Sequence, residues 1–80
     1  MNIYVGNLSY KVRENDLQGV FEEYGQVDVC KIVKDRDTGR SKGFAFVEMP
    51  DDAAAKAIEE LNGAEFDGRT MVVKEARPRN

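Results

Sequence analysis

The sequence contains no histidine and no tryptophan, one cysteine and two prolines, and acids outnumber bases so that its 80 residues carry a net charge of −3. Each shortage removes a class of function. Without histidine, and with Cys30 alone, no usual zinc site can be assembled. A lone cysteine forms no internal disulfide, so a reducing, cytoplasmic compartment is expected, and Cys30 reads as a small buried apolar residue. No apolar run approaches the roughly 20 residues of a membrane span. Met1 runs directly into a strand-like segment with no charged or apolar leader pattern, so no secretory signal is expected. A chain of this length makes one domain that buries only about 60% of its unfolded surface, which leaves little room for a deep catalytic cleft. The acidic balance argues, taken alone, against nucleic acid, because phosphate contacts need Lys and Arg.

What is present is a regular alternation of elements. Ile3–Val5 is β-branched and aromatic and is closed by Gly6-Asn7, which predicts a first strand. Residues 14–24 place Leu17, Val20, Phe21 and Tyr24 at helical spacing, and Gly25 stands where a left-handed helix end is wanted. Residues 27–34 predict a second strand, DRDTGRS a polar loop, and residues 42–49 a third strand. Pro50-Asp51 opens a second helix with Ala54, Ala57, Ile58 and Leu61 in one stripe, ended by Asn62-Gly63. Asp67-Gly68 is a tight-turn pair leading into a last strand over Thr70–Glu75. The order β-α-β-β-α-β is the split-βαβ arrangement of ferredoxin-like α+β folds, a four-stranded antiparallel sheet with two helices on one face. The domain is expected over residues 1–77, with an irregular tail at 78–80. Two helices cover one face of the sheet and leave the other open.

Side-chain parity identifies the open face. Along residues 42–49 one face carries Lys42, Phe44, Phe46 and Glu48, and the other carries Gly43, Ala45, Val47 and Met49. Burying the first set would bury two charges, so it is assigned to solvent. In the first strand Ile3 and Val5 suit the core, which turns Tyr4 outward beside Asn2 and Gly6. Three outward aromatics make an apolar patch of the kind that marks a binding surface, and stacking on such rings contributes roughly 1–3 kcal/mol per base.

The same residues carry a family pattern. Lys42-Gly43-Phe44-Ala45-Phe46-Val47-Glu48-Met49 resembles the ribonucleoprotein octamer of RNA recognition motifs, and Ile3-Tyr4-Val5-Gly6-Asn7-Leu8 resembles the companion hexamer. The resemblance spans nearly the whole chain and is greatest to short single-domain members of bacteria and organelles and to the first domain of glycine-rich RNA-binding proteins. It implies single-stranded RNA as partner, single-stranded DNA being the other ligand of that shape, with a role in chaperoning RNA or in post-transcriptional regulation. It implies that Tyr4 and Phe46 each stack on a base, that Phe44 packs on sugars and that Lys42 meets a phosphate. Lys74, Arg77 and Arg79 become candidates because the last strand and the residues after it often line the same surface in this family. Asn2 is a candidate for a base edge, Arg40 for a phosphate, and Lys31 for the same surface if the second strand does not bulge. Two positions depart from the family: the octamer ends in Met49 rather than an aromatic, and Arg13 stands where a Ser or Thr helix cap is usual.

The charges sort by element. Glu14, Asp16, Glu22, Glu23, Asp51, Asp52, Glu59 and Glu60 lie on or beside the helices, whereas Lys31, Lys34, Arg36, Arg40 and Lys42 crowd into residues 31–42. Three to four phosphate contacts there imply a log–log salt slope of roughly −2 to −3 on single strands. Two other functions fit the fold. A protein-interaction module would use the same sheet, although such modules often lose the aromatics. An acylphosphatase-like enzyme would need an arginine in the loop after the first strand, where Gly6-Asn7-Leu8-Ser9-Tyr10 has none. With no histidine base and no nucleophile constellation, no catalytic residue and no cofactor is expected.

Overall fold

A computed structural model describes residues 1–76. The elements run in the order β1 (Asn2–Gly6), α1 (Glu14–Glu22), β2 (Val29–Lys34), β3 (Ser41–Glu48), α2 (Asp51–Leu61), β4 (Glu65–Phe66), β5 (Arg69–Thr70) and β6 (Val72–Ala76). The main sheet has the strand order β2-β3-β1-β6, with antiparallel neighbours throughout. The expected βαββαβ order therefore stands, with a small β4–β5 hairpin inserted before the last strand.

Alternation along each strand builds the core. Ile3 and Val5 of β1, Ile32 of β2, Ala45 and Val47 of β3 and Val73 of β6 are buried with Leu17 and Phe21 of α1 and Ala54, Ala57 and Leu61 of α2. Both helices thus share one face of the sheet. Met49 is buried, so its place at the end of the octamer is a packing position. Val20, Tyr24 and Ile58 pack on the margin of the core.

Three local features differ from the sequence reading. Gly25 is not a left-handed cap: its φ is 156°, and a Cβ there would lie 2.6 Å from the Ala53 Cβ, so this glycine lets the turn after α1 pack closely on α2. The start of α1 has no Ser or Thr, yet the Arg13 N–H is satisfied by the Asp16 carboxylate at 3.2 Å, the reciprocal half of a capping box. The last strand is broken. Asp67 (φ 52°) and Gly68 (φ 79°) close the β4–β5 hairpin with two left-handed residues, the geometry that suits a two-residue turn. Met71 then turns into the core, its N–H donating to Ala64 O and its carbonyl accepting from Gly63 N–H, before β6 begins.

Both outer strands have side-chain acceptors on their backbone. The Glu14 carboxylate accepts the Ile32 N–H of β2 at 3.0 Å, and the Asn62 amide oxygen accepts the Val73 N–H of β6 at 3.0 Å. Covering donors on an edge strand discourages strand pairing with another chain.

Candidate nucleic-acid interface

The face opposite the helices carries the rings. Tyr4 of β1 lies directly across from Phe46 of β3. The three centroids form a near-equilateral cluster, with Tyr4–Phe44 at 6.0 Å, Tyr4–Phe46 at 5.9 Å and Phe44–Phe46 at 6.2 Å. Tyr4 and Phe44 are tilted by only 30°, while Phe46 stands edge-on to both, at 65° and 88°. Such spacings are attractive for aromatic pairs and hold the cluster in shape. Phe46 remains 41% exposed, much for a ring of its size.

Registers place the flanking charges. Lys31 is opposite Phe46, and Lys74 is opposite Tyr4, so one row of side chains runs Lys31, Phe46, Tyr4, Lys74 across all four strands. Paired residues share a face, which settles the parity of Lys31: the irregularity in β2–β3 pairing lies beyond it, between Ile32 and Lys34. The Lys74 ammonium lies 5.4 Å from the Tyr4 centroid, a cation–π distance. The next row holds Val29, Glu48, Asn2 and Ala76, which puts Asn2 on the ring face with a carboxylate beside it.

Lys42 sits in an irregularity of the β2–β3 pairing. Ile32 pairs with Ala45 but Lys34 pairs with Ser41, so Lys42, Gly43 and Phe44 all oppose Val33. Gly43 absorbs this with φ 86°, a conformation that L side chains rarely adopt. No single register partner fixes the face of Lys42 at this bulge. Lys42 lines a groove beside the sheet together with Lys34 and Arg40. The nearby Asp35 carboxyl is held below its ordinary value by the backbone N–H groups of Asp37 and Thr38 and, more weakly, by the charge of Lys42. Arg77 and Arg79 lie outside the described residues.

The structure adds residues that pattern reading missed. A Cβ on Gly6 would come within 2.6 Å of the Tyr4 hydroxyl oxygen and 2.8 Å of its Cε2, so the Tyr4 ring lies across Gly6. The sequence places Gly6 on the same face as Tyr4, but nothing in its pattern shows that the ring lies across it. Val72, opposite Gly6 and 43% exposed, extends the apolar surface past the rings. Cys30 is half-buried, and that burial, with the charge of Glu14 second, pushes its thiol up to about 11. It stays protonated near neutral pH and is a poor nucleophile.

An antiparallel sheet covered on one side and carrying a three-ring platform on the other defines the class of ferredoxin-like domains with an open aromatic face. The chain belongs to the RNA recognition motif family, whose model matches residues 3–72. RbpD of Nostoc sp. (strain PCC 7120), which bears the name of an RNA-binding protein, is 55% identical over 80 residues, covering 99% of this chain and 85% of its own. The crystal structure of RNA binding protein PG1 superposes with a TM-score of 0.95 at 56% identity, over 100% of this chain and 98% of that one. The Rna15 RRM with bound RNA (GU) superposes at 0.86 with 31% identity, over 96% and 83% of the two chains.

Proposed function

We infer that this domain binds single-stranded RNA on its uncovered sheet face and catalyses nothing. Tyr4 and Phe46 each support one base, Phe44 packs against the sugars between them, and Lys31 and Lys74 at the two ends of the row meet phosphates. Asn2 reaches a base edge, and Arg40 and Lys42 add positive charge at the margin. The observation that carries this reading is the ring cluster itself. Three aromatics within 6.2 Å of one another occupy the sheet face away from both helices, where burial in the core does not explain them. The family and the RNA-bound Rna15 neighbour give the reading support. Single-stranded over double-stranded ligand follows from the flat platform, which only an unpaired base can reach face-on. A cytoplasmic, reducing setting suits the single protonated thiol.

The test is the triple variant Tyr4→Ala/Phe44→Ala/Phe46→Ala, with its fold checked by circular dichroism. Loss of two base stacks at about 1–3 kcal/mol each weakens binding at least about 30-fold in fluorescence anisotropy. A folded triple variant that binds RNA as tightly as the parent refutes stacking on this face.

A further inference from the structure

Beside the ring face lies a groove between the segment after β1 and the β2–β3 loop. Five cations line it, Lys11, Arg13, Lys34, Arg40 and Lys42, together with two carboxylates, Glu14 and Asp35. Five positive charges less two negative leave +3 in the groove, on a chain whose total is −3. Both carboxylates are already occupied by backbone. Glu14 accepts the Ile32 N–H, and Asp35 accepts the N–H groups of Asp37 and Thr38 at 2.8 and 3.2 Å. Among the described residues the one ion pair is that of the Met1 ammonium with Asp51, so none of the five cations has a carboxylate at salt-bridge distance. Like charges gathered around one concavity repel, and an external polyanion relieves that repulsion.

The groove also has a ring. Tyr10 stands in its wall and is 71% exposed, the most exposed large apolar side chain among the described residues. The groove lies beside the N-terminal end of β3, the strand that carries Phe44 and Phe46. A Cβ on Gly43 would meet the Tyr10 ring at 3.6 Å, and Gly43 adjoins Phe44. The Tyr10 ring thus lies beside Gly43 of β3, and Lys42, next to the same bulge, lines the groove with it. An exposed ring interleaved with cations has the composition of a single-strand track.

We propose that this groove is a second subsite for the same RNA strand, in which Tyr10 stacks a base and Lys11, Arg13 and Lys34 neutralise the phosphates around it. The proposal rests on the ring face being an RNA platform and lengthens that site. A short oligonucleotide fills the platform alone, and a longer one enters the groove.

The test compares oligouridylates of four and twelve nucleotides over a range of salt. With the Lys11→Ala/Arg13→Ala/Lys34→Ala variant, 12-mer binding weakens at least tenfold, and its log–log salt slope becomes shallower by about 2, from three phosphate contacts at about 0.7 each. Tyr10→Ala weakens the 12-mer by about fivefold or more, the lower end of one lost base stack. Neither variant changes 4-mer binding. Equal losses on both lengths, or no loss on either, overturn the groove as a separate subsite. The ring triple variant separates this from the parent reading. If it binds the 4-mer like the wild type, the platform itself is wrong, whereas an inert groove beside a working platform removes only the extension.

Discussion

Substituting Gly6 by alanine separates ring geometry from stability. The added Cβ would lie 2.6 Å from the Tyr4 hydroxyl oxygen, 2.8 Å from Cε2 and 2.9 Å from Cζ. Ordinary carbon contacts lie near 3.5–4.0 Å, so the ring must lift by about 1 Å or swing aside. The backbone does not resist the change, because Gly6 is not among the residues with positive φ. Alanine also restricts the unfolded chain, which stabilises a compatible site by about 0.4–1 kcal/mol. Stability and binding should therefore part company, with the melting temperature holding or rising slightly. Binding falls because a lifted Tyr4 no longer presents its face to a base. Loss of up to one full stack, about 1–3 kcal/mol, corresponds to roughly 5- to 150-fold in affinity. Anisotropy with the oligouridylate 4-mer measures the binding, and thermal unfolding by circular dichroism measures the fold. If Gly6→Ala binds like the wild type while Tyr4→Ala does not, the resting position of the ring over Gly6 has no bearing on recognition. If Gly6→Ala unfolds, the glycine serves packing instead.

Two further substitutions probe charge and edge. Glu48→Gln removes the carboxylate that shares the ring face with Asn2 and should tighten RNA binding by a few-fold at low salt, with the gain fading as salt rises; an unchanged affinity at low salt argues that the phosphates pass elsewhere. Glu14→Ala strips the acceptor from the partly buried Ile32 N–H and should lower unfolding free energy by about 1–3 kcal/mol in urea titrations, whereas Glu14→Gln, which keeps an acceptor, should recover most of it.

The legible part of this domain is whatever depends on nearest-neighbour periodicity. Period two in β3 separated Phe44 and Phe46 from Ala45 and Val47, and the structure keeps that division. It worked for Ala45, Phe46 and Val47 because they lie in regular pairing with β1, where one register slip would have exchanged the faces. The same rule lost its hold at Lys42, two residues away, because three residues of β3 face one of β2 there. Nothing in the hydrophobic pattern announces a bulge, and Gly43 alone reads as easily as a small core residue. Lys31 could not be assigned from β2 by itself, yet pairing with Phe46 puts it in the ring row. The contacts that close the sheet edges were out of reach for another reason. Glu14 meets Ile32 across 18 residues and Asn62 meets Val73 across 11, and no local preference encodes either partner. Met71 illustrates a tertiary override: a strand reading runs straight through it, but the core takes its side chain and splits β5 from β6.

The acidic total is compatible with a polyanionic ligand once distance is considered. The shortest principal extent of the domain is 18 Å, the thickness expected of one sheet with one layer of helices on it. At physiological salt the Debye length is about 8 Å, so carboxylates on the outer side of α1 and α2 are separated from the ring face by about two screening lengths. An RNA strand on the sheet senses mainly what lies within one such length. That neighbourhood holds Lys31 and Lys74 in the ring row and Glu48 in the row beside it, and the groove at the start of β3 adds a local +3. Net charge averages two faces that the ligand never meets together. The same layering also gives the acids a separate use. A strongly negative helical face repels a second RNA segment and other copies of the domain, which restricts RNA to the side where the rings are.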